Sequence, residues 1–221
     1  MREIDLTSPN WLIYKINNDS FHAHAHHIKG RVIDLGCGSS PYRSDILEIA
    51  DEYIGVDWSS SHHSDKYVDF KADLSDPLPF DDDYADTLVA FHVLEHLAEP
   101  AGFLGECFRV LKRGGVLYIT VPFMWPVHES PHDYYRLTSY GVQYLLGQAG
   151  FELLDLKRET GFWQTFVLRF NYHSFRFARG PLRYLMVPIW FIGQTLAPFL
   201  DSIDRDDSET CMLSVVAVKP E

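Results

Sequence analysis

Side chains that could move a proton are concentrated in one segment of the sequence, residues 122–138. Its three prolines predict a shaped loop rather than a helix, and loops on a rigid scaffold commonly carry binding and catalytic groups. His128 and His132 are candidate general bases, because imidazole titrates near neutral pH, and Asp133 could orient one of them. Further candidates for contact with an acceptor molecule are Trp125, Tyr134 and Arg136. A local ion pair between Asp133 and Arg136, with aromatic side chains packed beneath the loop, is the structural alternative.

A second segment has the pattern of a nucleoside-binding turn. The run Val32–Gly38 predicts a buried strand that breaks into a turn at Gly36 and Gly38, where the lack of a Cβ lets the backbone approach a ligand. Asp34 could accept a hydrogen bond from that ligand or stabilise the turn. About twenty residues later a second predicted strand ends in Asp57, the position that binds a ribose hydroxyl in Rossmann-like sites. Together these signals predict a site for an adenosyl ligand.

A dinucleotide is the nearest competing ligand. Its fingerprint requires a third glycine, which would fall at the position occupied by Pro41. Ser39 or Ser40 is expected to cap the following helix, with Pro41 as its first residue. Because proline has no N–H to offer a pyrophosphate, the turn favours an adenosyl ligand without phosphate.

From about Arg31 to Phe151 the sequence resembles the class I, Rossmann-like S-adenosylmethionine-dependent methyltransferases. The glycine turn matches the first motif of that family. Phe91–His96 resembles the segment after the fourth strand in members that act on small molecules, and Val110–Gly115 matches the turn before the fifth strand. The resemblance is specific because these motifs occur in the family's order.

The resemblance implies S-adenosylmethionine as the cofactor. It places the methionine part beside the glycine turn, the ribose on Asp57, an aromatic cover for the adenine at Trp58 and an acid facing the adenine amino group at Asp73. The implied cofactor-binding residues are Asp34, Gly36, Cys37, Gly38, Asp57, Trp58, Asp73, Leu74, Phe91 and His92.

The resemblance also narrows the range of acceptor molecules. Phe91–Leu94 lacks the Asn/Asp-Pro-Pro-Tyr/Phe pattern of the amino methylases, and residues 131–138 are similar to those of members associated with cell-surface glycan synthesis. The expected acceptor is therefore a small or carrier-linked molecule, such as a lipid-linked glycan precursor, methylated at oxygen. No metal is expected, because the catechol branch's paired carboxylates are missing and His22 and His26, one helical turn apart, lack a third ligand.

Strand-like and helix-like runs alternate, which predicts an α/β fold with a doubly wound, mostly parallel seven-stranded sheet. Residues 1–30 are expected to form a partly helical extension that acts as a cofactor lid, and residues 31–221 the methyltransferase domain. Residues 162–205 are expected to form a helical insertion before an antiparallel last strand. The predicted strands lie near 31–35, 52–57, 66–70, 85–91, 115–121, 151–158 and 211–218, and the predicted helices near 41–50, 99–112 and 138–149.

Charge separates the insertion from the rest of the chain. The formal net charge of −12 argues against a nucleic-acid partner, yet no Asp or Glu occurs from Thr160 to Leu200, where four arginines do. The apolar run 182–200 approaches the length of a membrane span, but Pro188 and Pro198 are expected to interrupt it. An acceptor lid, a peripheral membrane contact through 162–200 and a homodimer face remain open as roles for the insertion.

Three widely spaced cysteines and a start without a secretory apolar core predict a cytoplasmic protein, with membrane-peripheral placement as the variant. Two other functions stay open beside the methyltransferase. One is a non-catalytic S-adenosylmethionine-binding module that contacts a partner protein. The other is an RNA methyltransferase that uses the arginines of the insertion.

Overall fold

A single mixed β-sheet organises the chain, which we describe from a computed structural model for residues 5–58 and 66–221. Its strands are rich in β-branched and other apolar residues because both faces are covered by helices. They are β1 (Arg31–Leu35), β2 (Glu52–Asp57), β3 (Phe70–Lys71), β4 (Ala85–Phe91), β5 (Leu111–Pro122), β6 (Glu152–Arg158) and β7 (Met212–Val218). The order across the sheet is β3-β2-β1-β4-β5-β7-β6, and only the β5–β7 and β7–β6 pairs are antiparallel. The predicted fold class is confirmed.

Within the described residues, six α-helices connect or cover the strands. They are α1 (Trp11–His24), α2 (Arg43–Leu47), α3 (Pro100–Val110), α4 (Ser139–Ala149), α5 (Phe162–Phe175) and α6 (Leu182–Asp204). Thr138 caps α4 through a hydrogen bond from Gly141 N at 3.1 Å, as its residue type suggests. The predicted extension 1–30 contains α1, although its first four residues lie outside the described residues.

The helix after the glycine turn differs from its prediction. It begins at Arg43 rather than Pro41, because the residues from Ser40 (φ +51°) to Arg43 form a turn, with a hydrogen bond from Arg43 N to Ser40 O at 3.2 Å. Ser40 Oγ has no hydrogen-bond partner among the described residues, so neither serine acts as the expected cap. The predicted strand near 66–70 is likewise reduced to the two residues of β3.

Helix α1 lies across the sheet face beside the ends of β1 and β4. Phe21 stacks on Tyr42 with ring centroids 4.3 Å apart, and Ser20 Oγ lies 3.0 Å from the Tyr118 hydroxyl. His24, in the histidine-rich stretch, is buried and contacts Asp155 Oδ2 at 3.1 Å. Helix α1 ends at His24, so His22 and His26 do not share one helical face.

The two long helices of the insertion form a hairpin between β6 and β7. Trp190 Nε1 donates to Ser174 Oγ at 2.9 Å, and Asn171 Nδ2 donates to Gln194 Oε1 at 3.2 Å. Helix α6 runs through Pro188 and Pro198 without a break, contrary to the prediction. Its packing on α5 through Trp190 and Gln194 offsets the hydrogen bonds that the prolines remove. By length and composition alone, α6 could cross a membrane.

Candidate functional site

The glycine turn joins β1 to the neighbouring β2 at their carboxyl ends. The backbone N–H groups of Gly36 and Cys37 both donate to Val56 O, at 2.8 and 3.0 Å. Gly36 has a φ of +74°, and a Cβ there would lie 2.5 Å from Val93 Cγ2. Only glycine fits this close approach, which leaves the mouth of the turn open to a ligand.

Asp34 stabilises the turn from inside. Its carboxylate is buried and accepts a 2.6 Å hydrogen bond from the Tyr53 hydroxyl, on β2. Burial raises the pKa of Asp34 to about 7, in spite of that hydrogen bond. Burial likewise raises the pKa of Cys37 to about 12, so its thiol is protonated at neutral pH. These residues shape the cofactor turn, and direct contact with a ligand stays a prediction for both.

The carboxylate of Asp57, at the end of β2, accepts one backbone hydrogen bond at each of its oxygens. Gly38 N donates to Oδ2 at 3.1 Å and Trp58 N donates to Oδ1 at 2.7 Å. The bonds fix the carboxylate at the sheet edge where a Rossmann-like site binds a ribose. Trp58 is exposed beside it, Asp73 is exposed and accepts from Ser75 N, and Leu74 is buried below.

Across the turn, Phe91 and His92 at the end of β4 line a cleft of about 200 Å³ together with side chains of α1. His92 has a φ of +56°, uncommon for a non-glycine residue, and its N–H donates to Thr120 O at 3.0 Å. Its Nε2 lies 3.1 Å from Asn17 Oδ1 on α1. Helix α1 thus forms one wall of the cleft, and its role as a cofactor lid stays a prediction.

The predicted acceptor loop is fixed by one ion pair. Arg136 Nη1 and Nη2 donate to the two oxygens of Asp133 at 2.6 and 2.7 Å, and the Asp133 side chain is 1% exposed. This pair holds the pKa of Asp133 well below its usual range. Arg136 also donates to the carbonyls of Trp125, Pro126 and Tyr135, which commits its donors to the loop. The local ion pair between Asp133 and Arg136, which the sequence left as the structural alternative, is therefore present. Substrate contact by Arg136 stays a prediction.

The other residues predicted to contact the acceptor lie in different places. Trp125 packs edge-on against Tyr172 of α5, beneath the loop, with ring centroids 5.2 Å apart. Tyr134 is exposed, and its hydroxyl lies 3.4 Å from His132 Nδ1. His132 is also exposed and meets Trp58 edge-on at 5.4 Å, so it lies at the mouth of the cofactor crevice.

His128 belongs to a different group, which we call the histidine cluster: His92, Glu95, His96 and His128. Nitrogens of the three imidazoles lie at 3.8, 3.7 and 3.8 Å from one oxygen, Glu95 Oε1. Asp133 contacts this cluster through His128, with its Oδ2 3.4 Å from Nδ1 and accepting from the backbone N–H at 2.9 Å. No contact between Asp133 and the His132 ring occurs among the described residues.

Burial sets the protonation of this cluster. It raises the pKa of Glu95 to about 8 and lowers that of His92 to about 4. Burial also lowers the pKa of His128, and the neighbouring His96 adds to the effect. The imidazoles of His92 and His128 are therefore neutral at pH 7 and have lone pairs available.

Glu95 and His96 are absent from the predicted site residues. The available signal was the spacing His-x-x-Glu-His at 92–96. A short 3₁₀ helix at Leu94–His96 turns Glu95 and His96 toward His92, and the loop then adds His128. Backbone bonds from Tyr134 and Tyr135 to Glu95 O fasten the loop there.

Known proteins share this arrangement of elements. Residues 33–119 match the family described as methyltransferase domain. A probable S-adenosylmethionine-dependent methyltransferase of Mycolicibacterium smegmatis is 35% identical over 144 residues, which are 59% of this chain and 56% of that protein. A ubiquinone biosynthesis O-methyltransferase of Burkholderia thailandensis is 25% identical over 164 residues, 61% of this chain and 70% of that protein.

Similarity extends to solved structures. An S-adenosylmethionine-dependent methyltransferase from Mesorhizobium loti superimposes with a TM-score of 0.60 at 16% identity, covering 97% of this chain and 100% of that one. The chain thus carries a methyltransferase-domain match over residues 33–119, has the fold of that solved methyltransferase, and spans about half the length of the M. smegmatis relative that is named as S-adenosylmethionine-dependent.

Proposed function

We propose that this protein transfers the methyl group of S-adenosylmethionine to a hydroxyl oxygen of a small or carrier-linked acceptor. The observation that carries the proposal is the histidine cluster, which lies at the end of β4 beside the cofactor crevice. Methyl transfer is an in-line displacement, for which alignment is the largest contribution, but a hydroxyl acceptor also gains from loss of its proton. Neutral imidazoles beside the crevice are suited to that step.

Of the two predicted bases, His128 is the better supported. Its Nδ1 lies 3.2 Å from Arg136 Nη2 and 3.4 Å from Asp133 Oδ2, and its Nε2 is directed into the cluster. In the tautomer whose Nδ1 donates to Asp133, Nε2 has the lone pair that a base needs. Its lowered pKa keeps it neutral near pH 7. His132 is exposed and packs against Trp58, so we assign it to the crevice mouth. The name of the B. thailandensis relative, an O-methyltransferase, agrees with an oxygen acceptor.

A groove beside the acceptor loop supports a carrier-linked acceptor. It has a volume of about 610 Å³ and runs from Pro126 and Val127 to α5. Its walls combine aromatic side chains with two cationic ones. They are Phe162, Phe166, Phe170, Arg169 and Arg176. An acceptor with an apolar carrier and an anionic linkage matches these walls in both respects.

The test is transfer of a deuterated methyl group from labelled S-adenosylmethionine to lipid and water-soluble fractions of a bacterial extract. Mass spectrometry of the labelled product identifies the atom that carries the methyl group. We expect an O-methyl product in one fraction, formed by the wild type and not by His128→Ala. An N-methyl or S-methyl product would contradict the proposal.

Two other functions predict different results in this experiment. A non-catalytic module would bind S-adenosylmethionine and label no fraction. An RNA methyltransferase would label RNA and bind it with a steep salt dependence through Arg169 to Arg183. No observation on the described residues favours either over the O-methyltransferase.

A further inference from the structure

We propose that the histidine cluster is a divalent metal site, in which Glu95, His96 and His128 are ligands and His92 is a fourth. Ligating atoms of the first three lie within 4.8 Å of one another. The site deepens the proposed function, since a cation here would meet the acceptor oxygen. Metal binding itself does not depend on that function.

Glu95 provides the strongest support. Its side chain is 2% exposed, yet both carboxylate oxygens lack a hydrogen-bond partner among the described residues. Burial of an unsatisfied carboxylate is costly unless a cation or a proton compensates it. The three imidazole nitrogens nearest to Oε1 lie at almost equal distances from it, 3.7 to 3.8 Å. Ligands of a tetrahedral ion with bonds of about 2.1 Å are separated by a similar distance, about 3.4 Å.

Two of the three imidazoles are oriented as metal ligands would be. The nitrogen that faces away from Glu95 contacts an oxygen in both rings: His92 Nε2 meets Asn17 Oδ1 at 3.1 Å, and His96 Nδ1 meets His132 O at 2.5 Å. When that outer nitrogen donates, the inner one carries a lone pair toward the cluster, as metal-bound histidines require. His128 Nδ1 accepts from Arg136 Nη2 at 3.2 Å and lies 3.4 Å from Asp133 Oδ2, so ligation through Nε2 requires that Nδ1 donate to Asp133 instead.

Ligand chemistry points to zinc or another borderline transition ion. Two or three imidazoles with one carboxylate match the donor set of catalytic zinc sites, whereas Mg²⁺ and Ca²⁺ prefer oxygen ligands. A bound cation would lower the pKa of an acceptor hydroxyl, the step otherwise given to His128. In that case His128 acts as a ligand, and the proton leaves to solvent.

The test uses the full-length protein purified without chelator, with metal content measured by mass spectrometry and zinc affinity by competition with a chromophoric chelator. We expect one equivalent per chain in the wild type, and at least about 100-fold weaker binding in Glu95→Gln and His128→Gln, since even outer-shell partners cost 10–100-fold. The matched control is His22→Gln, an exposed histidine of α1, which should bind as the wild type does.

Cobalt substitution gives a second readout, because Co²⁺ with imidazole and carboxylate ligands absorbs visible light. The band should appear in the wild type and in His22→Gln and be lost in Glu95→Gln. Equal zinc affinity in all variants, or loss of binding in His22→Gln alone, would overturn the site. Retained O-methyl transfer after complete chelation would overturn the catalytic consequence without touching the proposed function. A bound metal with no transfer to any fraction would contradict the proposed function instead.

An independent observation concerns the outer surface of α5 and α6, from Phe162 to Asp204. We infer that this surface docks onto an anionic lipid bilayer. It exposes an unusual density of large apolar side chains. They are Phe166, Phe170, Phe175, Phe177, Tyr184, Leu185, Ile192, Leu196, Phe199 and Ile203. Only 17% of the most apolar window of α6 is buried within the protein.

Charge complementarity selects the lipid surface as the occupant. Arg169, Arg176, Arg179 and Arg183 are exposed on the same helical hairpin, and none forms an ion pair with a carboxylate within residues 5–58 and 66–221. In a protein of net charge −12, the segment 160–200 has no Asp or Glu, and its four arginines are exposed. Arginines attract anionic headgroups while aromatic side chains enter the interface.

The hairpin lies on the bilayer rather than across it. With 14 residues, α5 is only about 21 Å long, shorter than a hydrocarbon core of about 30 Å. Moreover, the strands before and after the hairpin are neighbours in the sheet, so the chain leaves and returns on one side. The groove beside Pro126 opens on this surface, which would bring a lipid-linked acceptor to the loop.

Flotation with vesicles tests the docking. We expect binding to vesicles with 30% phosphatidylglycerol and little to pure phosphatidylcholine. Arg176→Gln/Arg179→Gln should weaken binding roughly 30-fold, at about 1 kcal/mol for each arginine. Phe199→Glu should abolish it, whereas Tyr140→Glu, an exposed aromatic of α4, should not. Absence of binding to anionic vesicles, or a dimer in sedimentation that Phe199→Glu dissociates, would overturn the inference in favour of no docking or a homodimer face.

Discussion

Several side chains at the crevice form hydrogen bonds within the protein. A substitution there can therefore change the stability of the protein as well as ligand binding. Asp57 accepts from two backbone N–H groups, Asp34 from Tyr53, and His92 contacts Asn17. Such partners fix the side chains before a ligand arrives, which lowers the entropy lost on binding. Variants at these positions therefore need a stability measurement beside the functional one.

Asp57→Ala should weaken S-adenosylmethionine binding by about 1.5–3 kcal/mol if its carboxylate holds the ribose, the range for hydrogen bonds to a charged group. Calorimetric titration measures the dissociation constant. The surface variant Asp51→Ala is the control. An unchanged dissociation constant in folded Asp57→Ala would reject the ribose role.

Gly36→Ala should destabilise the protein by more than about 1 kcal/mol, because of the positive φ and the 2.5 Å approach to Val93 Cγ2. Gly105→Ala is the matched control. It lies within α3, where a Cβ would meet nothing within 4 Å, and should stabilise the helix by about 0.5–1 kcal/mol. Denaturant unfolding compares them. Equal stability of the two variants would contradict the described turn.

Glu95 predicts a pH dependence of the metal-free protein. Its pKa is raised to about 8, so its neutral form stabilises the fold fully below its unfolded pKa of about 4.5, and this contribution is lost as the pH rises through 8. The pKa of His92 is lowered to about 4, which has the opposite effect on stability. The neutral imidazole stabilises the fold above about pH 6.5, and this contribution is lost as the pH falls through 4. Other groups facing Glu95 are His96, His128, Glu129, Asp133 and Arg136.

Between pH 5 and 8, Glu95 should therefore lower the free energy of unfolding of the metal-free wild type by no more than about 1.4 kcal/mol per pH unit, and His92 opposes this below about pH 6.5. Glu95→Gln should lack that part of the slope, because its amide does not titrate. Urea denaturation at several pH values measures both. Parallel slopes in the two proteins would show that Glu95 does not carry the dependence.

At the scale of elements, three segments build the site: the turn after β1, the 3₁₀ helix after β4 and the loop after β5. Parallel neighbours in the sheet bring these ends together, and this could be predicted from alternating strand and helix patterns. The internal hydrogen bonds of the loop after β5 could not be predicted. They depend on Arg136 reaching carbonyls up to 11 residues away, contacts that no local pattern reports. The helix after the turn and the unbroken α6 were mispredicted because tertiary packing outweighs local signals from proline and serine.

Asp133→Ala should destabilise the protein by about 3 kcal/mol, because it leaves the guanidinium of a largely buried pair without its carboxylate. The exposed pair Arg31–Glu52 provides the control, since Glu52→Ala should cost less than about 1 kcal/mol. Thermal unfolding compares the two. A loss in Asp133→Ala no larger than in Glu52→Ala would contradict the role of this ion pair in fixing the loop.

For the whole molecule, charge is divided between an acidic body and an arginine-bearing hairpin. The composition indicated this division, and in the structure the four arginines and many aromatic side chains of the hairpin are exposed. The aligned part of the chain spans just over half of the M. smegmatis relative. We therefore propose the acceptor and partners of this chain from its own surface features. The cofactor-binding residues, which stay predictions, could be proposed from sequence because they lie in short local motifs. The metal-type cluster could not be, since it joins segments more than 30 residues apart.

The most direct test of the central claim measures two quantities in one sample: the single-turnover rate of methyl transfer from S-adenosylmethionine to the acceptor fraction, and the dissociation constant of the cofactor. Wild type is compared with His128→Ala. The proposed chemistry predicts a rate at least about 100-fold lower with an unchanged dissociation constant, as expected for loss of a group that assists proton removal. Equal rates in the two proteins would contradict it.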